Sequence, residues 1–285
     1  MRDVTLAADL TMHVEDDDFG DPWESREVVL LVHGFAESSR IWFGWVPHLA
    51  RRYRVLRPDL RGFGQSSIPP DAAHYPWSPE GFAEDLGRLL DVLGVPRVHV
   101  VGARLGGPIG INLAVRRPEL VQTLSIISGL ARSGNVSGLA LASDGTTVGF
   151  DDFAANIEQR GMRGWIAETG RARLGSDASD EKVAWWNDLM AASDQDVCIG
   201  MMVAASRLDV SDLLPRVGAP TLVVAGDSST IQSLEVTRDW QSRIPSSELH
   251  VVAGDSPHLA ATHPDYCAER VLEFVARHSA DLACT

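Results

Sequence analysis

The chain is poor in cysteine, has no long apolar run and carries no surplus of positive charge, and each shortage closes off a class of function. Three cysteines, Cys198, Cys267 and Cys284, are too few and too scattered for a disulfide framework or a zinc site. No stretch approaches the roughly 18 uninterrupted apolar residues of a membrane span. The opening segment "MRDVTLAADLTMHVEDDDFGD" lacks a secretory apolar core, so a soluble cytoplasmic protein is expected. A formal charge of −14 and an isoelectric point near 5.0 would repel nucleic acid and anionic membranes at long range. Cofactor signatures are missing too: the Gly-rich "GARLGG" has no Walker lysine and does not form G-x-G-x-x-G, so no cofactor and no metal are expected. There is no internal repeat and no low-complexity segment.

What is present is a chain of 285 residues, 45% hydrophobic and 22% charged, enough for one α/β domain with or without an inserted subdomain. Short apolar, β-branched runs recur at 28–34, 53–59, 98–103, 123–128, 220–226 and 248–254, bounded by Gly, Pro or Asp. They do not alternate, which predicts strands covered on both faces. Helical patterns lie between them. In "SPEGFAEDLGRLLDVLG", Ser78 can cap, Pro79 fits the first turn, Phe82, Leu86, Leu89, Leu90 and Leu93 share a face, and Gly94 ends the helix. In "HPDYCAERVLEFVARH" the face is Cys267, Val271, Phe274 and Val275.

Strands alternating with helices predict a mostly parallel, doubly wound sheet with its ligand site at the carboxyl ends of the strands. From about 131 to 212 this rhythm gives way to amphipathic segments around "DDFAANIEQRGMRGWIAETG" and "EKVAWWNDLMAASDQDVCIGMMVAASRL". The expected organisation is a core of residues 1–130 and 213–285 with a helical cap over 131–212. Within it "NVSGLALASDGTTVG" reads as a mobile connection.

The motifs "LLVHGF", "RPDLRGFGQSS", the strand, turn and helix of 98–116, the cap, "PTLVVAG" and "VVAGDSPH" occur in one order. Together they resemble the α/β-hydrolase fold over residues about 26–278, and most closely its capped members: lactonases, carbon–carbon hydrolases and small-ester hydrolases. That resemblance implies a nucleophile elbow G-x-S-x-G, followed along the chain by an acid and a histidine. Here the elbow reads Gly102, Ala103, Arg104, Leu105, Gly106, with both glycines kept and arginine where the resemblance expects serine. The implied oxyanion donors are the backbone N–H groups of Leu105 and of Phe35, which follows His33 and Gly34, and Gly34 is expected to help bind substrate. His33 itself also reads as a packed loop residue. The implied histidine is His258 or, in another register, Asp255 stands at that position; the reach from the preceding strand favours His258. The family's acid position holds Ser229, leaving Asp227 as the candidate to orient His258 and Glu235 as a poorer one.

A guanidinium never gives up its proton at neutral pH and cannot attack a carbonyl. At the N-terminus of a helix it sits at the positive end of the macrodipole, and burying it unpaired costs several kcal/mol. Something negative should therefore stand near Arg104: a cap carboxylate, Asp255 or a bound anion. The functional expectation is a cofactor-free hydrolase of a small ester, lactone or 1,3-dicarbonyl compound, with Arg104 binding or polarising an anionic or carbonyl group and His258 moving the proton. The alternatives are a cofactor-free lyase, a silent relative that binds a small ligand, or a displaced nucleophile at Ser128 or Ser256. Trp186, with Trp165, Trp185, Trp42 and Trp45, is a candidate lining of an aromatic pocket. Asp59 and Arg61 read as residues that fix their loop. The expected partner is a small molecule, and the expected state is a monomer or homodimer.

Overall fold

Parallel strands covered on both faces need side chains that pack in either direction, and the apolar runs of this chain supply them. The computed structural model describes residues 1–133, 139–140, 147–148 and 150–279. Most of the segment 135–149, read as a connection, lies outside the described residues, as does Cys284.

Among the described residues the strands are β1 (Arg2–Ala7), β2 (Leu10–Asp17), β3 (Val28–Val32), β4 (Arg54–Pro58), β5 (Val98–Ala103), β6 (Val121–Ile127), β7 (Leu139–Ala140), β8 (Thr147–Val148), β9 (Thr221–Gly226) and β10 (Ser247–Val252). The helices are α1 (Val46–Leu49), α2 (Pro79–Val92), α3 (Gly106–Arg116), α4 (Phe150–Thr169), α5 (Asp180–Ala191), α6 (Gln195–Ala205), α7 (Leu234–Ser242), α8 (Leu259–Thr262) and α9 (Pro264–His278). Eight strands make one sheet in the order β1-β2-β4-β3-β5-β6-β9-β10, while β7 and β8 form a separate pair. From β4 through β10 the neighbours run parallel; β1 and β2 pair antiparallel with each other, and β2 with β4. All six expected strands are present. The hairpin of β1 and β2 was not anticipated, because strands with an exposed face carry no continuous apolar run.

Every residue of β3, β5 and β9 is buried, so both faces of the sheet centre are covered. Ser78 caps α2 by accepting the Gly81 N–H, Pro79 occupies its first turn, and Phe82, Leu86, Leu89 and Leu90 are buried before Gly94 turns the chain at φ 64°. In α9 the buried face is Cys267, Ala268, Val271, Phe274 and Val275.

Between β6 and β9 the chain forms α4, α5 and α6. Gly161, at φ 69° and ψ 170°, breaks α4 into two pieces, and Asp194 starts α6 by accepting the Val197 N–H. Helices α5 and α6, with Arg173 from the turn between α4 and α5, form one wall of a cavity whose other wall is the carboxyl edge of the sheet. No helix among the described residues is long and apolar enough to cross a membrane.

Candidate active site

The turn from β5 into α3 is held by close packing. A Cβ at Gly102 would lie 2.2 Å from the Gly106 carbonyl oxygen, and one at Gly106 would lie 2.2 Å from the Val32 carbonyl oxygen. Neither position admits a side chain, which is why both glycines persist around a residue with quite different chemistry. Between them Arg104 takes φ 56°, the left-handed conformation expected of an elbow residue, at a cost on the order of 1–3 kcal/mol. The Arg104 N–H donates to the Ile127 carbonyl and its own carbonyl accepts the Gly107 N–H, which fixes the turn from both sides.

The Arg104 guanidinium lies on the cavity wall and donates from Nη1 to the Pro257 carbonyl at 3.0 Å. Among the described residues it forms no ion pair. Burial pushes it down to about 10, against the opposing pull of Glu37, so it stays cationic at neutral pH. The cavity measures about 90 Å³, smaller than the roughly 150 Å³ apolar cavity that holds a benzene ring. Phe35 and Leu105 line it beside Arg104; Glu37 and Arg173 are its other charged residues, and Met190, Met201, Met202, Leu208 and Ile231 make it apolar elsewhere.

Glu37 is the acid that faces His258. Its Oε1 lies 2.5 Å from His258 Nε2, and its Oε2 accepts the Gly34 N–H at 2.8 Å. Burial alone would raise the Glu37 carboxyl; the His258 ring and the Gly34 N–H outweigh that and hold it below the usual carboxylate range. The expected orienter, Asp227, does not reach the ring. It is exposed, and its Oδ1 accepts the Gly254 N–H and the Ser228 hydroxyl. The chain turns it outward at the end of β9, and Glu37, four residues after His33, reaches His258 from the opposite side. Gly34, expected to help bind substrate, has its N–H engaged by Glu37.

His258 is 4% exposed, and its Nδ1 has no hydrogen-bond partner among the described residues. The ring is covered by Trp186, edge-on at 5.1 Å between centroids. Trp186 therefore seals His258 instead of lining the cavity, and it faces a separate surface groove with Arg40, Phe43, Lys182 and Trp185. Trp42 and Trp45 pack edge to face in the core, and Trp165 packs against Phe35 and Phe153. None of these tryptophans lines the cavity; the three methionines do.

Asp255 is not the partner of Arg104. Its carboxylate accepts the Ser176 N–H at 3.0 Å and ties the turn between α4 and α5 to the 255–258 loop. Ser128 accepts the Leu259 N–H, and Ser256 accepts the His258 N–H while pairing with Thr262. His33 is a packed loop residue: Nδ1 donates to the Gly34 carbonyl and Nε2 accepts the Leu60 N–H. Asp59 accepts from the Ser39 and Gln65 N–H groups, and so fixes its loop. Among the described residues no group of three His, Cys, Asp or Glu could hold a metal.

Arg173, on the turn between α4 and α5, had no sequence signal. Its guanidinium lies 4.0 Å over the Trp165 ring, Nε donates to Thr169 Oγ1 at 3.2 Å, and Nη2 is buried with no partner among the described residues. Burial and the neighbouring Arg104 push it down to about 9.

Comparison with known proteins places this geometry in a family. The model of the alpha/beta hydrolase fold matches residues 27–262. The "Putative carbamate hydrolase RutD" of Caulobacter sp. (strain K31) is 26% identical over 92% of this chain and 95% of its own length. A thermophilic esterase from Thermogutta terrifontis, solved with malate bound, superposes with a TM-score of 0.81 at 23% identity, covering 98% of this chain and 100% of its own. The enol-lactonase from Burkholderia xenovorans LB400 gives 0.82 at 20% identity, over 95% and 99%. The chain belongs to the α/β-hydrolase fold family.

Proposed function

We propose that this protein hydrolyses a small anionic carbonyl compound by direct attack of water, with no acyl-enzyme. One observation carries the reading: Arg104 and Glu37 both line an apolar cavity at the elbow, and among the described residues no carboxylate forms an ion pair with the Arg104 guanidinium. A cation held there is unfavourable until an anion arrives.

In this reading Arg104 holds and polarises the substrate. The N–H groups of Phe35 and Leu105, both on the cavity wall, stabilise the oxyanion that develops as the carbonyl π bond breaks. Glu37, ionised and facing the cavity, takes a proton from water as the water oxygen bonds to the carbonyl carbon. His258 does not line the cavity and acts through Glu37, as a positioning residue and proton relay. Collapse of the adduct breaks the bond to the leaving group, which recovers the proton from the Glu37–His258 pair. The relatives named above as carbamate hydrolase, esterase and enol-lactonase act on carbonyls bearing a heteroatom leaving group, which supports the same substrate class. The small cavity favours a short acyl portion.

The test is a screen of small carboxylate-bearing esters, carbamates, lactones and 1,3-dicarbonyl compounds. Arg104→Gln should lower kcat/KM for any substrate found by about 10²–10³, the range for one electrostatic stabiliser. A fluorophosphonate probe should leave the active protein unlabelled; labelling of a serine with loss of turnover overturns the mechanism. A second reading, binding without turnover, is favoured by the closure of Glu37 and Trp186 over His258. It predicts carboxylate binding with no hydrolysis of any member of the panel.

A further inference from the structure

We infer that Arg173 and Arg104 form a two-armed clamp for one carboxylate, one arm from the cap and one from the core, and that the physiological ligand is a monocarboxylate with a short apolar body. The inference deepens the reading above and rests on its anionic ligand.

Three independent features carry it. Arg173 reaches the cavity wall with Nη2 buried and unpartnered. A buried donor without an acceptor costs about 1–3 kcal/mol, more when charged, and an acceptor arriving in the cavity would relieve that cost. Arg173 is also built into place: its face stacks on Trp165, Nε is held by Thr169, and the turn that follows is tied down through Ser176 and Asp255. Arg104 is anchored to the same 255–258 loop through Pro257. Lastly, the charges on the cavity wall are Arg104, Arg173 and Glu37, two positive and one negative. A single carboxylate balances them, while a dianion would over-correct and a neutral molecule would leave two guanidinium groups competing for one acid. Each guanidinium has planar N–H donors suited to a carboxylate, and the surrounding methionine, leucine and isoleucine side chains suit an alkyl body. A carboxylate bridging both arms links cap to core, so ligand binding should stabilise the whole protein.

Binding of straight-chain carboxylates from acetate to hexanoate is measured by calorimetry and thermal shift, with butyramide as the neutral counterpart of butyrate. The wild type should bind butyrate well above butyramide. Arg173→Gln should weaken butyrate binding about 10- to 100-fold, as expected for a lost charge-assisted bond, and leave butyramide unchanged. Arg173→Lys should recover part of the loss. Arg173→Met, which removes a half-buried cation with no ion pair among the described residues, should melt no lower than the wild type without ligand and should lose the butyrate-induced shift. Equal binding of butyrate and butyramide, wild-type butyrate affinity in Arg173→Gln, or no binding by any carboxylate in the series overturns the clamp. Carboxylate binding that needs Arg173 but brings no hydrolysis in the substrate screen upholds the clamp and removes the hydrolase. Hydrolysis that is indifferent to Arg173→Gln removes the clamp and upholds the hydrolase.

Discussion

Arg61 and Arg104 both follow a parallel strand and reach the same edge of the sheet, yet their surroundings are opposite. Arg61, after β4, donates from Nε and Nη2 to both oxygens of Asp85 at 2.8 and 2.9 Å and from Nη1 to Asp9. These partners raise its affinity for the proton above the ordinary guanidinium range. Arg104, after β5, has one carbonyl partner and no ion pair among the described residues, and burial moves it the other way, to about 10. Where the chain supplies the counter-charge, an arginine is part of the framework. Where it supplies a cavity instead, as around Arg104, the remaining counter-charge comes, in the reading proposed above, from a ligand. Arg173, pushed down to about 9, falls on the side of Arg104.

The largest effect should come from breaking the framework side. Asp85→Asn leaves the Arg61 cation buried with only the partly exposed Asp9, and removing one partner of a buried pair typically costs about 3–5 kcal/mol. Denaturant unfolding measures this directly. A loss under about 1 kcal/mol would put Arg61 in the same uncompensated class as Arg104 and dissolve the comparison.

How much of this was legible follows from the same physics. The sheet could be read because strands buried on both faces must be continuously apolar. The elbow could be read because Gly102 and Gly106 are demanded by backbone contacts, whatever lies between them. That a half-buried Arg104 calls for a negative neighbour also follows from its position, but which neighbour does not. Glu37 lies 221 residues from His258 along the chain, inside "HGFAESS", where a glutamate reads as a polar loop residue. Arg173 sits in "GRARLG", a polar segment with no apolar periodicity, and only the packing of α4 and α5 over the sheet carries it into the cavity. Asp227 was the natural acid by chain order, but its direction out of the turn after β9 is a matter of backbone geometry that residue type does not encode. One signal was available: a buried cation with no acid at the family's position asks for a search of every other loop on that edge.

The histidines give a second, smaller contrast. His33 has both ring nitrogens engaged, while His258 has one engaged and one bare. Burial holds His33 and His99 below the ordinary imidazole range. As the pH drops below about 6.5, the unfolded chain takes up protons at these positions that the folded chain refuses, so stability falls. The melting temperature should therefore decline from pH 7 to pH 5, before the carboxylates titrate. His33→Gln should cost about 1–3 kcal/mol at pH 7 through lost buried hydrogen bonds, and should flatten that decline in part, His99 keeping the rest. An unchanged slope would mean that His33 is protonated in the folded protein, against its place between one donor and one acceptor.

The smallest effect belongs to Asp227, and it separates chain order from geometry as the guide to the acid. An acid that orients a catalytic imidazole cannot be replaced by its amide without a loss of orders of magnitude in turnover, because the ring then takes the wrong tautomer. Asp227 instead meets the Gly254 N–H and the Ser228 hydroxyl in solvent. An amide oxygen can accept both bonds, so Asp227→Asn should leave turnover within about twofold and the melting curve nearly unmoved. Glu37→Gln, by contrast, should strip His258 of its charged partner and abolish turnover. If the two variants behave the other way round, His258 swings toward β9 during the reaction, and the Glu37–His258 pair describes a resting arrangement of the site.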